Sequence, residues 1–222
     1  MPDLELVSVN VSLPKVLVGD WDGKPLLSGI DKRPVAGEWL ELRETGLEGD
    51  AQADMRRIGG VQVHGGAGKA VYAYPSEHFP AWSEELGQEI GPGAFGENLT
   101  IRGSTESDAC IGDVWRWGDA LLQISEPRGP CYKLTLHRRE ERMIELVNES
   151  GRTGWLLRVL RPGRVPVRGP IQIAERHPAR VSVLDVHRAW QREDGDELRS
   201  LLDLDPLGND LKQMIRNVLV RR

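Results

Sequence analysis

Cys131 stands in the run Glu126-Pro127-Arg128-Gly129-Pro130-Cys131-Tyr132-Lys133, where two prolines and a glycine impose a short non-helical turn just before the thiol. Arg128 and Lys133 place cationic groups three and two residues away. Nearby positive charge favours a thiolate, so this thiol is expected to give up its proton more readily than a buried structural cysteine. A thiolate on a rigid loop serves as a nucleophile or as a soft metal ligand. The competing reading is a free cysteine acting as a small buried hydrophobe.

Other segments carry polar groups that could join it. Gly46-Leu47-Glu48-Gly49-Asp50-Ala51-Gln52-Ala53-Asp54 is too rich in glycine and acid for a strand interior. His64-Gly65-Gly66-Ala67-Gly68-Lys69 follows, and glycines there let backbone N–H groups approach an anion that the lysine could pair with. It is not a P-loop, because Val63 stands where the first glycine belongs and Ala70 where Ser or Thr does. A tight turn with a solvated lysine explains the same residues. Phe95-Gly96-Glu97-Asn98-Leu99-Thr100 sets an amide able to bond a heterocycle edge beside an acid. Both could equally satisfy the turn's own backbone. Lys32-Arg33-Pro34-Val35 puts two cations before an extended segment, and Trp115 and Trp117 read as packing rather than a stacking platform.

Several chemistries find no support. With two cysteines, Cys110 and Cys131, and no CxxC pair, neither a disulfide framework nor a zinc site is expected. The same pair cannot supply the four cysteines of a usual iron–sulfur cluster. No serine lies in a Gly-x-Ser-x-Gly elbow. A Cys131–His64 nucleophile–base pair stays open, since such pairs meet in space.

These residues need a scaffold. At 222 residues the chain suits one large domain, or one with a small appendage, and it can build a core without staples. A formal net charge of -5 argues against a general polyanion binder. Neither a signal peptide at Met1-Pro2-Asp3-Leu4-Glu5 nor a bilayer-length apolar run is present, so a soluble, cytoplasmic protein is expected.

Up to about residue 176 the pattern is strand-rich: Val7 to Leu13 alternates, Asp22-Gly23 makes a hairpin turn, and short strands fall at Ala70–Tyr74, Val114–Trp117, Ala120–Ile124, Gly154–Leu160 and Ile171–Ile173. Arg138 to Asn148 reads as a helix ending near Gly151. Many short strands with Gly/Pro turns imply a closed or nearly closed barrel. From His177-Pro178 onward three helices are expected. Ser182-Val183-Leu184-Asp185 forms a capping box, Leu198, Leu201 and Leu202 mark the second helix, and Leu211, Met214, Ile215, Val218 and Leu219 the third. Residues 177–222 are too small a unit to stand alone with assurance, and should pack on the barrel or on a partner.

Taken in order, the motifs resemble the MOSC domain, the family named after the C-terminal domain of molybdenum cofactor sulfurase, and within it the YiiM-like branch. The matching pieces are Gly29-Ile30-Asp31-Lys32-Arg33-Pro34-Val35, the Gly46–Asp50 run with Gln52-Ala53-Asp54, His64-Gly65-Gly66 with Lys69-Ala70-Val71, and Tyr74-Pro75-Ser76-Glu77-His78. Phe95-Gly96-Glu97-Asn98-Leu99, Ile111-Gly112-Asp113, Pro127 to Leu134 and Gly154-Trp155 complete the set. Two departures stand out: the link Met55 to Val63 is longer than usual, and Ala67-Gly68 replaces a common proline–aspartate pair.

The resemblance implies a MOSC-type mixed β-barrel over residues 1–176 and a three-helix domain over 177–222. It implies a molybdenum cofactor, with Cys131 as catalytic metal ligand, and reduction of N-hydroxylated compounds such as N-hydroxylated purine bases. Arg33, Lys69, Asn98, Arg128 and Lys133 would hold the pterin and its phosphate, with His64, Gly65 and Gly66 lining the pocket. Asp50, Asp54 and Glu97 would organise the residues behind it. The expected partners are a small N-hydroxylated substrate, a separate electron-donating reductase and, as an option, a second copy of the chain, with neither nucleic acid nor membrane. The alternative is a carrier that binds cofactor or sulfur without turnover.

Overall fold

The computed structural model describes residues 3–51, 57–58, 61–62 and 65–221, with the backbone alone at 57, 58 and 62. Seven strands close on themselves: β1 (Leu4–Val11), β2 (Val71–Pro75), β3 (Leu99–Arg102), β4 (Val114–Trp117), β5 (Ala120–Pro127), β6 (Trp155–Arg161) and β7 (Gly169–Glu175). Around the barrel the order is β1-β3-β2-β6-β5-β4-β7, returning to β1. β2 and β3 run parallel, with Leu99 opposite Ala73, and the remaining barrel neighbours are antiparallel. Parallel neighbours need a crossover, and it carries α1 (Phe79–Leu86). The mixed barrel expected from the sequence is therefore the fold found.

Alternation on facing strands brings Val71, Ala73, Leu99, Ile101, Trp115, Leu122, Trp155 and Leu157 into one apolar core. Trp115 and Trp155 meet edge to face with ring centres 5.9 Å apart. Trp117 is fully buried and its Nε1 donates to the Pro166 carbonyl at 2.9 Å, which confirms packing as its role. β4 turns into β5 through Gly118, at φ +57; a Cβ there would lie 2.6 Å from the Arg164 carbonyl oxygen, so only glycine fits.

β2 is buried along its whole length. Tyr72 and Tyr74 join a second apolar cluster with Trp82 of α1, Phe95, Leu134 of α2 (Tyr132–Arg138), and Met143 and Val147 of α3 (Met143–Ser150).

Two elements differ from the sequence reading. The helix expected over Arg138 to Asn148 begins only at Met143, as α3; Arg138 instead closes a separate helix, α2, which ends where Arg139 turns left-handed at φ +55. The intervening run Arg139-Glu140-Glu141-Arg142 offers the helix no apolar face to bury. In β1 the polar side is also buried: Ser8 Oγ donates to Asn10 Oδ1 at 2.8 Å and Asn10 Nδ2 to Thr100 Oγ1 at 3.1 Å. The Asp22-Gly23 hairpin forms as expected, both residues having positive φ.

The three C-terminal helices are α4 (Val183–Arg192), α5 (Gly195–Leu202) and α6 (Asn209–Val220). Ser182 and Asp185 form the reciprocal capping box at the start of α4. Val183, Val186, Leu198, Leu201 and Ile215 belong to the same apolar core as the barrel. An isolated bridge between Cys110 and Ser182, and a 3.0 Å bond from the Gly208 N–H to the Ser125 carbonyl, tie the backbones together. No described helix is long and apolar enough to cross a membrane.

Candidate functional site

β5 ends at Pro127, and Pro130 delays the next helix until Tyr132, so Arg128 to Cys131 must cross the barrel's end as extended chain. The Arg128 N–H donates to the Gly154 carbonyl at 3.2 Å, which pins the start of this crossing. Cys131 has extended backbone (φ -134, ψ 161) and immediately precedes α2. Tyr132 stacks on Trp21 of the hairpin at 5.5 Å.

This loop borders a cavity of about 600 Å³ between the end of the barrel and the C-terminal helices. Cys131, Lys32, Lys69, Asn98, Arg128, Lys133 and Gly65 line the barrel side. Ile144, Asn148, Val186, Trp190, Leu211 and Met214 belong to the helical side. Among the described residues the charged lining is four cations, Lys32, Lys69, Arg128 and Lys133, and one carboxylate, Glu126, with Asp50 paired to Lys32 and Asp210 to Lys69. Such a wall attracts an anion, and a half-buried thiol beside it is chemically accessible.

Behind the cationic side lies a hydrogen-bonded frame. Asp50 Oδ1 accepts from the Ser12 N–H at 2.9 Å and from the Lys32 ammonium, while Asp50 Oδ2 accepts from Asn98 Nδ2 at 2.9 Å. Asn98 Oδ1 accepts from the Tyr72 N–H at 3.1 Å, so its amide fixes strand geometry at the cavity wall. Burial pulls the Lys32 ammonium below its ordinary range, with Asp50 opposing that shift. Glu97 is fully buried and accepts from the Gly93 N–H (2.6 Å), the Phe95 N–H (3.0 Å) and the Thr100 hydroxyl (2.8 Å). Burial raises its carboxyl above the usual range despite those donors. The Arg128 guanidinium sits over the Tyr72 ring at 5.3 Å, and the Tyr72 hydroxyl donates to the Thr153 carbonyl at 2.8 Å.

Lys69 approaches Glu126 Oε1 at 3.5 Å and Asp210 Oδ2 at 3.2 Å, so its ammonium links barrel, cavity and α6. Glu126 has a carboxyl raised first by burial and further by Asp210, against the pull of Lys69 and Arg158.

The sequence candidates thus divide. Cys131, Gly65, Lys69, Asn98, Arg128 and Lys133 meet at the cavity; Asp50 and Glu97 brace its wall from behind. Arg33 does not join them: its side chain is 74% exposed and paired with Asp31 at 2.8 Å, and the neighbouring Lys32 takes the position at the cavity. Gly66 caps the short turn of Ala67–Lys69 and is not part of the lining. Asp54 and His64 lie outside the described residues. Cys110 is buried and off the cavity, its thiol raised by that burial. Sequence reasoning missed Lys32 as the inward cation of its pair, and missed Tyr72, Glu126 and the helical side. The only signal for Lys32 was its place beside a proline-fixed strand.

The sequence pattern of the MOSC domain matches residues 60–172. Protein YiiM of Escherichia coli (strain K12) is 43% identical over 159 residues, which are 70% of this chain and 66% of that protein. A protein named "Reductase" from Gibberella moniliformis is 37% identical over 148 residues, 65% of this chain but only 25% of the fungal protein. The crystal structure of YiiM from Geobacillus stearothermophilus superimposes with a TM-score of 0.79 at 29% identity, covering 97% of this chain and 99% of that one.

Proposed function

Because the chain belongs to the MOSC domain family, we propose that it is a molybdenum-cofactor-dependent oxidoreductase that reduces N-hydroxylated compounds, N-hydroxylated purine bases among them, with electrons from a separate reductase. The carrying observation is Cys131 in the wall of an approximately 600 Å³ cavity whose charged lining, among the described residues, is four cations and one carboxylate. That donor set fits the group: a soft thiolate suits molybdenum, and the cations suit a phosphorylated pterin. The relative named "Reductase" supports a redox role in the family. Cys131 would hold the metal, and Lys69, Arg128 and Lys133 would neutralise the phosphate end, with Lys32 held beside them by its pair with Asp50. When bound, the cofactor supplies the two-electron chemistry, and the protein supplies position, charge and exclusion of water.

Protein made in a cofactor-competent host should carry molybdenum near one per chain and reduce an N-hydroxylated purine only when a reductase is supplied. Cys131→Ser should melt like the wild type yet lose both metal and turnover. Full activity in that variant would refute the assignment. A persulfide on Cys131 with no molybdenum would favour a sulfur carrier instead.

A further inference from the structure

The cavity has two chemically unlike sides. The barrel side carries the thiol and the cations, whereas the side built by α3, α4 and α6 contributes mainly Ile144, Val186, Trp190, Leu211 and Met214, with Asn148, His187 and Gln191 as its polar members and, among the described residues, no Asp, Glu, Lys or Arg. Resting on the reading above, we propose that this helical side is a subsite for a neutral, planar nitrogen heterocycle, with Trp190 as the ring surface and Asn148 as the hydrogen-bonding group.

Three observations carry it. First, a largely apolar wall, polar only at Asn148, His187 and Gln191 among the described residues, stands opposite a cationic one, so an anionic cofactor leaves this side to an uncharged ring. Second, Trp190 is only half-buried, and Met214 on the neighbouring helix adds a polarisable thioether; an indole and a thioether are good partners for a flat π-system. Third, Asn148 Oδ1 is buried with no hydrogen-bond partner among the described residues, although Asn148 lines the cavity. The backbone carbonyl of the same residue is already engaged by His187 Nε2 at 2.9 Å, so the side-chain oxygen is the acceptor left for a ligand. A buried acceptor without a donor is unfavourable, and a heterocycle carrying N–H beside its ring relieves this while the amide N–H can serve a ring nitrogen. An aliphatic N-hydroxy compound offers no ring for Trp190, and an anion would prefer the opposite wall. The helical unit would thereby select substrates by their ring while the barrel holds the reacting centre.

The test is calorimetric titration of the full chain, prepared without cofactor, with adenine as the ring probe and inorganic phosphate as the probe of the cationic side. Adenine should bind saturably. Trp190→Ala should weaken it about tenfold or more, the order expected when a base loses its aromatic stacking partner. Asn148→Leu should weaken it severalfold and Asn148→Asp, which keeps the acceptor, less so. Phosphate binding should change less than twofold in each. Should Trp190→Ala not fold, Trp190→Leu and the Asn148 pair decide alone. Absence of saturable adenine binding, or wild-type affinity in both Trp190 and Asn148 variants, would overturn the proposal. Adenine binding reads the subsite without turnover, so retained binding in a chain that reduces no N-hydroxylated compound would sink the redox reading and leave the subsite standing.

Discussion

Gly208 offers the sharpest test of how the helical unit is seated on the barrel. It precedes α6 with φ -55 and ψ 132, a conformation alanine adopts without strain. A methyl group there would nevertheless fall 2.0 Å from Glu126 Oε2 and 2.9 Å from its Cδ. The carboxylate would have to shift by more than an ångström from a site where its side chain is 7% exposed and tethered to Lys69. Forcing one carbon into a packed contact of this kind costs about 1–3 kcal/mol. In a chain of this size that corresponds to a fall in Tm of about 2–12 °C. Gly208→Ala should show that fall in a thermal melt followed by circular dichroism. With Glu126→Ala as background, the obstacle is gone, so the same substitution should cost only a few tenths of a kcal/mol, leaving a coupling of about 1–3 kcal/mol. If Gly208→Ala melts like the wild type, or loses equal stability in both backgrounds, Glu126 is not packed against α6 as described.

Lys32 and Asp50 form a buried pair, with side chains 7% and 4% exposed. Asp50→Asn leaves the ammonium without its counter-charge and should cost about 3–5 kcal/mol in denaturant unfolding, whereas Lys32→Met combined with Asp50→Asn should recover most of it. Glu126 predicts a pH signature. Its folded carboxyl is raised by burial and by Asp210, with Lys69 and Arg158 opposing, so the folded state holds a proton that the unfolded chain releases near the ordinary glutamate value. Wild-type stability is therefore lost as pH rises from that value through the raised one. Glu126→Gln lacks this loss, and its stability relative to wild type should grow across the window by about 1.4 kcal/mol per unit of elevation. Melts at pH 5 and pH 8 that differ equally for both proteins would contradict this. Ser182→Ala removes the cap of α4, where Oγ accepts from the Asp185 N–H at 3.0 Å, and should lower stability by about 1 kcal/mol. An unchanged denaturation midpoint would show the cap to be idle.

What the sequence disclosed, and what it hid, follows from which interactions are local. The capping box at Ser182, the Asp22-Gly23 turn and the loop before Cys131 are each fixed by residues within a few positions of one another, and each forms as its sequence indicates. The cavity is not local: its lining comes from segments as far apart as Ser28 and Met214. Arg33 and Lys32 could not be ranked by sequence, because which neighbour turns inward depends on how the segment just after the Asp22-Gly23 hairpin meets Asp50, a partner 18 positions away from Lys32. The helical side was concealed for a different reason. Leu211, Met214 and Ile215 share one helical periodicity and read together as a core face. Ile215 is fully buried in the core, but Leu211 and Met214, half-buried, line the cavity. Hydrophobic spacing reports that a face avoids water; it does not report whether protein or ligand covers it. A helix that closes a binding cavity therefore carries the same pattern as one that closes a core, and only the three-dimensional arrangement separates them.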